Sequence, residues 1–228
     1  MKELPIIFPM NKIIAMGIPP YVAFSWVAMI VIVISALMVR KSLNVVHTGI
    51  QNFVEVIAEF LLNLVDTSIG HMGRYFFPLI ATLFIYILVG NFLGLIPGFE
   101  APTGNLNTTA ALAIPVFLAT HYYGIKIHKF GYIKHFVGPI RSVVALPLMI
   151  IMFFIEIVGH LARPLTLSVR LFGNMMAKHM LLIILATLAP WIIPIPILVL
   201  GVLVSAVQAL VFSLLTTFYL AGSVEEAH

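Results

Sequence analysis

The sequence contains no cysteine and few charged residues, and each shortage excludes several classes of protein. Without cysteine, the chain forms no disulfide, thiolate metal site, iron–sulfur cluster or cysteine nucleophile. Charged residues make up 9% of the 228 residues, against roughly a quarter in an ordinary soluble domain. This composition excludes a water-soluble globular domain.

The residues between the charged ones form long continuous runs. Asp, Glu, Lys and Arg are absent from five stretches: 13–39, 75–99, 101–125, 142–155 and 179–224. A spanning helix needs about 20 mainly apolar residues, so three of these runs are each long enough for one span and the last exceeds one. We therefore expect an all-α polytopic membrane protein with five to six membrane helices.

The N-terminal third combines a membrane helix with a segment of different character. We expect the first span at about 21–39, ended by Arg40 and Lys41 and retained as an anchor. Residues 50–69 then carry polar side chains at helical spacing opposite an apolar face, namely Asn52, Glu55, Glu59, Asn63 and Asp66. This pattern predicts an amphipathic helix at the membrane interface.

Further helices are expected beyond residue 74. The apolar runs predict them at about 75–96, 108–125, 142–158, 160–189 and 197–221. Side chains in 105–109 suit an N-cap, and Pro164 is expected to interrupt the helix at 160–189 early.

The distribution of basic residues predicts the orientation. Segments 40–74 and 126–141 hold seven Lys or Arg, whereas the opposite side holds only Lys2 and Lys12. The positive-inside bias therefore predicts a periplasmic N-terminus and a cytoplasmic C-terminus, and it explains the basic pI without a nucleic-acid partner.

Ionisable and polar side chains recur in the last third, within the expected spans. They are Glu156, His160, Arg163, Arg170, Asn174, Lys178 and His179. The first five follow one another by 4, 3, 7 and 4 positions, which puts them on one helical face. We expect a single membrane domain over 1–228, with an anchor part in 1–74, middle helices and a basic cytoplasmic loop in 75–158, and an ion-translocating helix pair in 159–228.

Arg170 is expected deep in the apolar slab, where an arginine costs at least about 2.5–3.5 kcal/mol on insertion scales. Glu156 is the only carboxylate near that depth, but 14 residues separate the two, about 21 Å along a continuous helix. We therefore predict a counter-charge on another polypeptide.

At 4 Å and an effective dielectric constant near 20, a guanidinium stabilises a carboxylate by about 4 kcal/mol, which lowers the carboxyl pKa by about three. Such a cation forces a passing carboxylic acid to release its proton. This property is typical of a protein that transfers ions.

The last helix presents a matching row of residues: Gly201, Ser205, Gln208, Phe212, Thr216 and Tyr219. Gln208 suits either a role beside Arg170 or in a water path, or a plain interhelical hydrogen bond. Small-residue helix packing explains Gly201 and Ser205 equally well.

Other functional classes fit the pattern less well. His121, His128 and His135 fall seven apart beside basic residues that oppose a cation, so we expect no metal site. His160 and His179 lie too far apart to clamp one haem, and we expect no cofactor. An autonomous ion channel or a secondary transporter remains the alternative function, although no internal repeat is evident.

Four strings together resemble subunit a of the bacterial F-type ATP synthase. They are GNFLGLIPGFEAPTGNLNTTAALA (90–113), ATHYYGIK (119–126), HLARPLTLSVRLFGNMMA (160–177) and VQALVFSLLTTFYLAGSVEE (207–226). The resemblance implies the stator of the Fo motor in a bacterial inner membrane. It also implies a rotating c-ring, subunit b of the peripheral stalk and the F1 sector as partners, with ATP chemistry on those partners and the last two helices strongly tilted.

The same resemblance implies roles for individual residues. Arg170 matches the essential arginine that faces the ring carboxylate, and Asn174 and Gln208 match polar positions near it. Glu156 and His179 match ionisable positions, whereas Gly201 departs from the pattern because this position often carries an ionisable group. We expect an outer proton half-channel lined by Glu156, His179 and Asn174, and an inner one leading to the cytoplasm. His160, Arg163, Lys178 and Ser205 are expected to support these groups, and the choice between H⁺ and Na⁺ depends on the ring.

Overall fold

The computed structural model describes residues 17–41, 49–96, 99–129, 146–188 and 194–224. Within these ranges the long elements are all helices: α1 (Pro20–Lys41), α2 (Ile50–Ile69), α3 (Gly73–Leu93), α4 (Leu106–His128), α5 (Leu146–Leu188) and α6 (Pro194–Val224). Short 3₁₀ turns at Gly70–Met72 and Pro102–Gly104 precede α3 and α4.

Five of the described helices are long and apolar enough to cross a membrane, namely α1, α3, α4, α5 and α6. The prediction of an all-α polytopic membrane protein is therefore confirmed. The sixth, α2, buries Leu61 and Val65 and leaves Glu55 and Glu59 exposed on the other side, so its amphipathic character is confirmed as well. Most of the expected basic loop lies outside the described residues.

The core forms around α6, which packs against α2, α3, α4 and α5. Its fully buried side chains include Leu61, Ile87, Leu171 and Phe212, each from a different helix. The N-cap expected before α4 is present, because the Asn105 side chain accepts the Asn107 N–H at 2.9 Å. Close packing also requires glycine at position 94, where a Cβ would lie 2.5 Å from the Cβ of Ala101.

The break expected at Pro164 is wrong. Residues 146–188 form one helix of 43 residues that includes this proline, and it merges the two helices expected at 142–158 and 160–189. Proline removes one backbone hydrogen bond, but membrane helices tolerate that loss where neighbouring groups satisfy the freed carbonyl.

The last two helices are longer than a simple membrane crossing. α5 has 43 residues and α6 has 31, about 65 and 47 Å at 1.5 Å per residue, whereas the hydrocarbon core is about 30 Å thick. α5 also lies at the periphery, since only 6% of its most apolar stretch is buried, against 39% for α3. One long face of α5 is therefore apolar and is left uncovered by the other described residues.

Candidate site on the two long helices

Arg170 lies in the middle of α5 on the outward side of the helix. Its side chain is exposed, whereas its neighbour Leu171 is fully buried against the core. Among the residues that the structure describes, none forms a hydrogen bond or an ion pair with the guanidinium. Arg170 thus presents an unneutralised cation on an apolar helix face.

Glu156, the carboxylate nearest to Arg170 along α5, has another partner. Its Oε1 lies 3.2 Å from Nε2 of His160, one turn further along the helix. Because α5 does not fold back, 14 residues separate Glu156 from Arg170, about 21 Å along the axis.

Asn174 and Gln208 connect α5 to α6 one turn beyond Arg170. The Asn174 amide Nδ2 donates to Oε1 of Gln208 at 2.7 Å, and Gln208 is only 4% exposed. Of the two roles open to Gln208 from the sequence, the interhelical hydrogen bond is the contact observed.

Lys178 lies two turns beyond Arg170 and joins three helices. Its Nζ donates to Oγ of Ser205 at 3.1 Å and to the backbone oxygen of Asn91 at 3.4 Å. Asn91 in turn accepts a hydrogen bond of 2.6 Å from the Thr103 hydroxyl, and Asn91, Thr103 and Ser205 are fully buried. The supporting role expected for Lys178 and Ser205 agrees with these contacts.

Gly201 gives the Lys178 side chain room to reach this network. A Cβ at position 201 would lie 3.3 Å from Cδ of Lys178 and 2.7 Å from Cδ2 of Leu95. The glycine that departs from the expected ionisable pattern therefore has a steric reason, which is the aliphatic stem of a lysine that crosses it.

Two cavities meet at Lys178. One has a volume of about 210 Å³ and lies between the start of α1, the α3–α4 connection and α5. Its lining includes Tyr21, Glu100, Asn105 and His179. The other, of about 300 Å³, lies between α5 and α6 and reaches Asn174. The two cavities together extend from one end of the helix bundle to within one turn of Arg170, and the second is lined mostly by apolar side chains.

A second polar cluster lies on the other side of Arg170. The His160 ring stacks edge to face on His121 at a centroid distance of 5.1 Å, and Nη1 of Arg163 lies 3.5 Å from Nδ1 of His160. The Arg163 guanidinium also lies 5.3 Å from the Tyr219 ring centroid, a distance at which a cation is attracted to an aromatic face.

The sequence predicts Glu156 and His179 in one outer path, and the structure places them in different clusters. The two residues are 23 positions apart on the continuous helix α5, about 35 Å at 1.5 Å per residue. Glu156 belongs to the cluster with His121 and His160, on the opposite side of Arg170 from His179.

The sequence analysis missed several members of these clusters. Asn91 and Thr103 are two of several polar residues in the uncharged segments 75–99 and 101–125, so the sequence carried no signal that set them apart. Glu100 was the one acidic residue of an expected outer connection. Among the described residues, no group of three or more His, Asp or Glu side chains is arranged to hold a metal ion.

These observations define a multi-pass helical membrane protein with charged side chains inside its longest helix, an arrangement typical of ion-conducting proteins. The family model described as ATP synthase A chain matches residues 22–221. The chain belongs to the ATP synthase subunit a family, as its sequence motifs predicted.

Individual relatives agree with this assignment. ATP synthase subunit a of Geobacter sulfurreducens is 51% identical over 207 residues, which are 91% of this chain and 88% of the relative. The protein of the same name from Trichlorobacter lovleyi is 50% identical over the same shares of the two chains. ATP synthase subunit a 1 of Pelobacter propionicus is also 50% identical, with the same coverage.

The buried Asn91 network generates a first prediction. Replacing Asn91 with Ala leaves the Thr103 hydroxyl without an acceptor in a dry site, and an unsatisfied buried polar group costs about 1–3 kcal/mol. We expect the variant to lower the thermal stability of the purified assembly, measured by the temperature at which this chain dissociates. The control is Asn107→Ala, an exposed asparagine at the start of α4. Equal stability of the two variants would contradict a structural role for the network.

Proposed function

We propose that this chain is the stator subunit of the ATP synthase Fo motor. It provides two proton half-channels and Arg170 beside a rotating c-ring, and it thereby couples proton flow across the membrane to ATP synthesis. It is not catalytic alone, and it assembles with the c-ring, with subunit b of the peripheral stalk and with the F1 sector. We place it in a bacterial inner membrane as a single membrane domain, with the N-terminus in the periplasm and the C-terminus in the cytoplasm.

The observation that carries this proposal is the position of Arg170 on the uncovered face of α5. A permanent cation in an apolar environment requires a counter-charge, and none is present among the described residues. A carboxylate carried past this face by a ring of identical subunits meets that requirement. The guanidinium keeps such a carboxylate ionised, and it repels protons that would otherwise cross directly between the two sides.

The outer half-channel enters at the cavity that contains Glu100 and His179. It continues past Lys178 through the cleft between α5 and α6 to Asn174, where the proton passes to the ring carboxylate. The neutralised carboxyl group then turns into the lipid, since burying it as a neutral acid costs far less than burying the ion.

The inner half-channel runs along the cluster of His121, Glu156 and His160. Its residues lie toward the end of α4 and the beginning of α5, next to the basic segment predicted to be cytoplasmic. A returning ring carboxyl group releases its proton to this path when it meets Arg170.

Arg170→Ala tests the central claim. Without the guanidinium, neither the ionised ring carboxylate nor the barrier to direct proton transfer is maintained, so ATP-driven proton pumping should be abolished. Fluorescence quenching of a pH-sensitive dye in inverted membrane vesicles measures pumping, and immunoblotting measures assembly. The control Arg74→Ala removes an exposed arginine 3.6 Å from Asp66. Retained pumping in the assembled Arg170 variant would refute the role.

Disulfide trapping tests the position of the ring. The native chain has no cysteine, so Gly173→Cys and Ala177→Cys each introduce a single exposed thiol near Arg170. We expect both to cross-link to cysteine variants of the ring subunit. Ile30→Cys, on the exposed side of α1, should not do so. Cross-linking from position 30 alone would contradict the proposed contact.

The outer half-channel is tested through His179. We expect His179→Leu to slow passive proton conduction through membranes stripped of F1, because the cavity loses a titratable group. Met180→Leu, at the next and exposed position, is the matched control. A His179 variant that conducts at the control rate would assign this residue to packing. This chain reconstituted alone should not conduct, whereas an autonomous channel would.

A further inference from the structure

A groove outside the ion path lies between α1, α2 and α3. α1 buries Ala23, Phe24 and Ala28 in its first half, whereas no residue from 29 to 40 is buried. The second half of α1 therefore does not close onto α3. The space left between the three helices, called here the α1–α3 groove, has a volume of about 560 Å³.

The lining of the α1–α3 groove is almost entirely apolar. α2 contributes Val54, Ile57 and Leu61, and α3 contributes side chains such as Phe84 and Leu88. The polar members of the lining are Ser35 and Arg40. The Ser35 hydroxyl already donates to the carbonyl of Val31 at 2.8 Å. Arg40 is thus the groove's available polar donor.

Arg40 lies at the level where a membrane helix meets lipid headgroups. α1 has 22 residues, about 33 Å, which matches a hydrocarbon core of about 30 Å and puts Arg40, in the last turn, at its edge. Within the described ranges, the guanidinium has no hydrogen bond or ion pair. Glu55 and Glu59 are absent from the lining, so the charge at the mouth of the groove is positive.

The size of the groove favours a slender occupant. A transmembrane helix of about 10 Å diameter and 30 Å length fills about 2,400 Å³, more than the α1–α3 groove can hold. An acyl chain is narrow enough to enter, and it restores the van der Waals contacts that an empty space would lose. An apolar groove with one cation at headgroup level matches a lipid with a negatively charged head.

We propose that the α1–α3 groove binds an anionic phospholipid, with an acyl chain between the three helices and the phosphate on Arg40. Because other acyl chains in the bilayer offer the lipid tail an equivalent environment, the preference for an anionic lipid comes from the arginine. The site is independent of the ion path, since Arg40 lies on α1 and Arg170 on the outward side of α5.

Photolabelling of the assembled ATP synthase tests this site. The complex is reconstituted in phosphatidylcholine vesicles doped with phosphatidylglycerol that carries a photoactivatable group on one acyl chain, and labelled peptides are identified by mass spectrometry. We expect labels on peptides that contain 32–39, 53–61 and 81–89. Arg40→Gln should reduce this labelling about fivefold, the factor that corresponds to the roughly 1 kcal/mol attraction of one basic residue for an anionic membrane.

Two controls separate the headgroup contact from general lipid exposure. Arg74→Gln removes an exposed arginine that does not line the groove and should leave labelling unchanged. Ala36→Phe narrows the groove and should reduce labelling, while ATP-driven pumping reports intact assembly. Equal labelling by a photoactivatable phosphatidylcholine, unaffected by Arg40→Gln, would overturn the anionic site. Absence of lipid labels, with a photo-crosslinking residue at Ala58 trapping another subunit instead, would overturn the lipid occupant.

Discussion

The cost of a guanidinium on an apolar helix face is the constraint on which this structure depends. Arg170 belongs to a stretch of 36 residues apolar enough to span a membrane, and it has no counter-charge among the described residues. A soluble protein could solvate such a group at its surface, whereas a membrane protein must provide a partner or water. The fold is therefore that of one part of a larger assembly, and its uncovered face runs along α5.

The other two cations described in the middle of α5, Arg163 and Lys178, have polar or aromatic partners within this chain. Lys178 donates to Ser205 and to the Asn91 carbonyl, and Arg163 lies against Tyr219 and His160. Ser205 and Tyr219 lie on α6 and Asn91 lies on α3, whereas His160 belongs to α5 itself. Arg170, between them on the same helix, points away from these neighbours. Since residues of the same helical face on each side of Arg170 contact α6, the isolation of Arg170 is a property of its level along α5.

The sequence predicts those parts of the fold that local rules determine. Apolar run length gives the spans, and the Asn105 cap follows from one side chain and the backbone amide two residues further on. The continuity of α5 through Pro164 was not predictable, because tolerance of a proline depends on neighbouring helices. The hydrogen bond from Lys178 to the backbone oxygen of Asn91 was not predictable either, because the two residues are 87 positions apart. Helical periodicity assigned the polar face of α5, but only packing divided it into two clusters.

That division bears on how the proposed motor avoids leakage. The cavities near Asn174 and the cluster around Glu156 both approach Arg170 along α5, and Arg170 is the group between them. A guanidinium has donors but no acceptor and does not release its proton, so a chain of hydrogen bonds that reaches it cannot pass a proton onward. A carrier that binds a proton on one side and releases it on the other is then required. In the proposed motor, the residue that stops direct flow thereby makes rotation of a partner the only productive route.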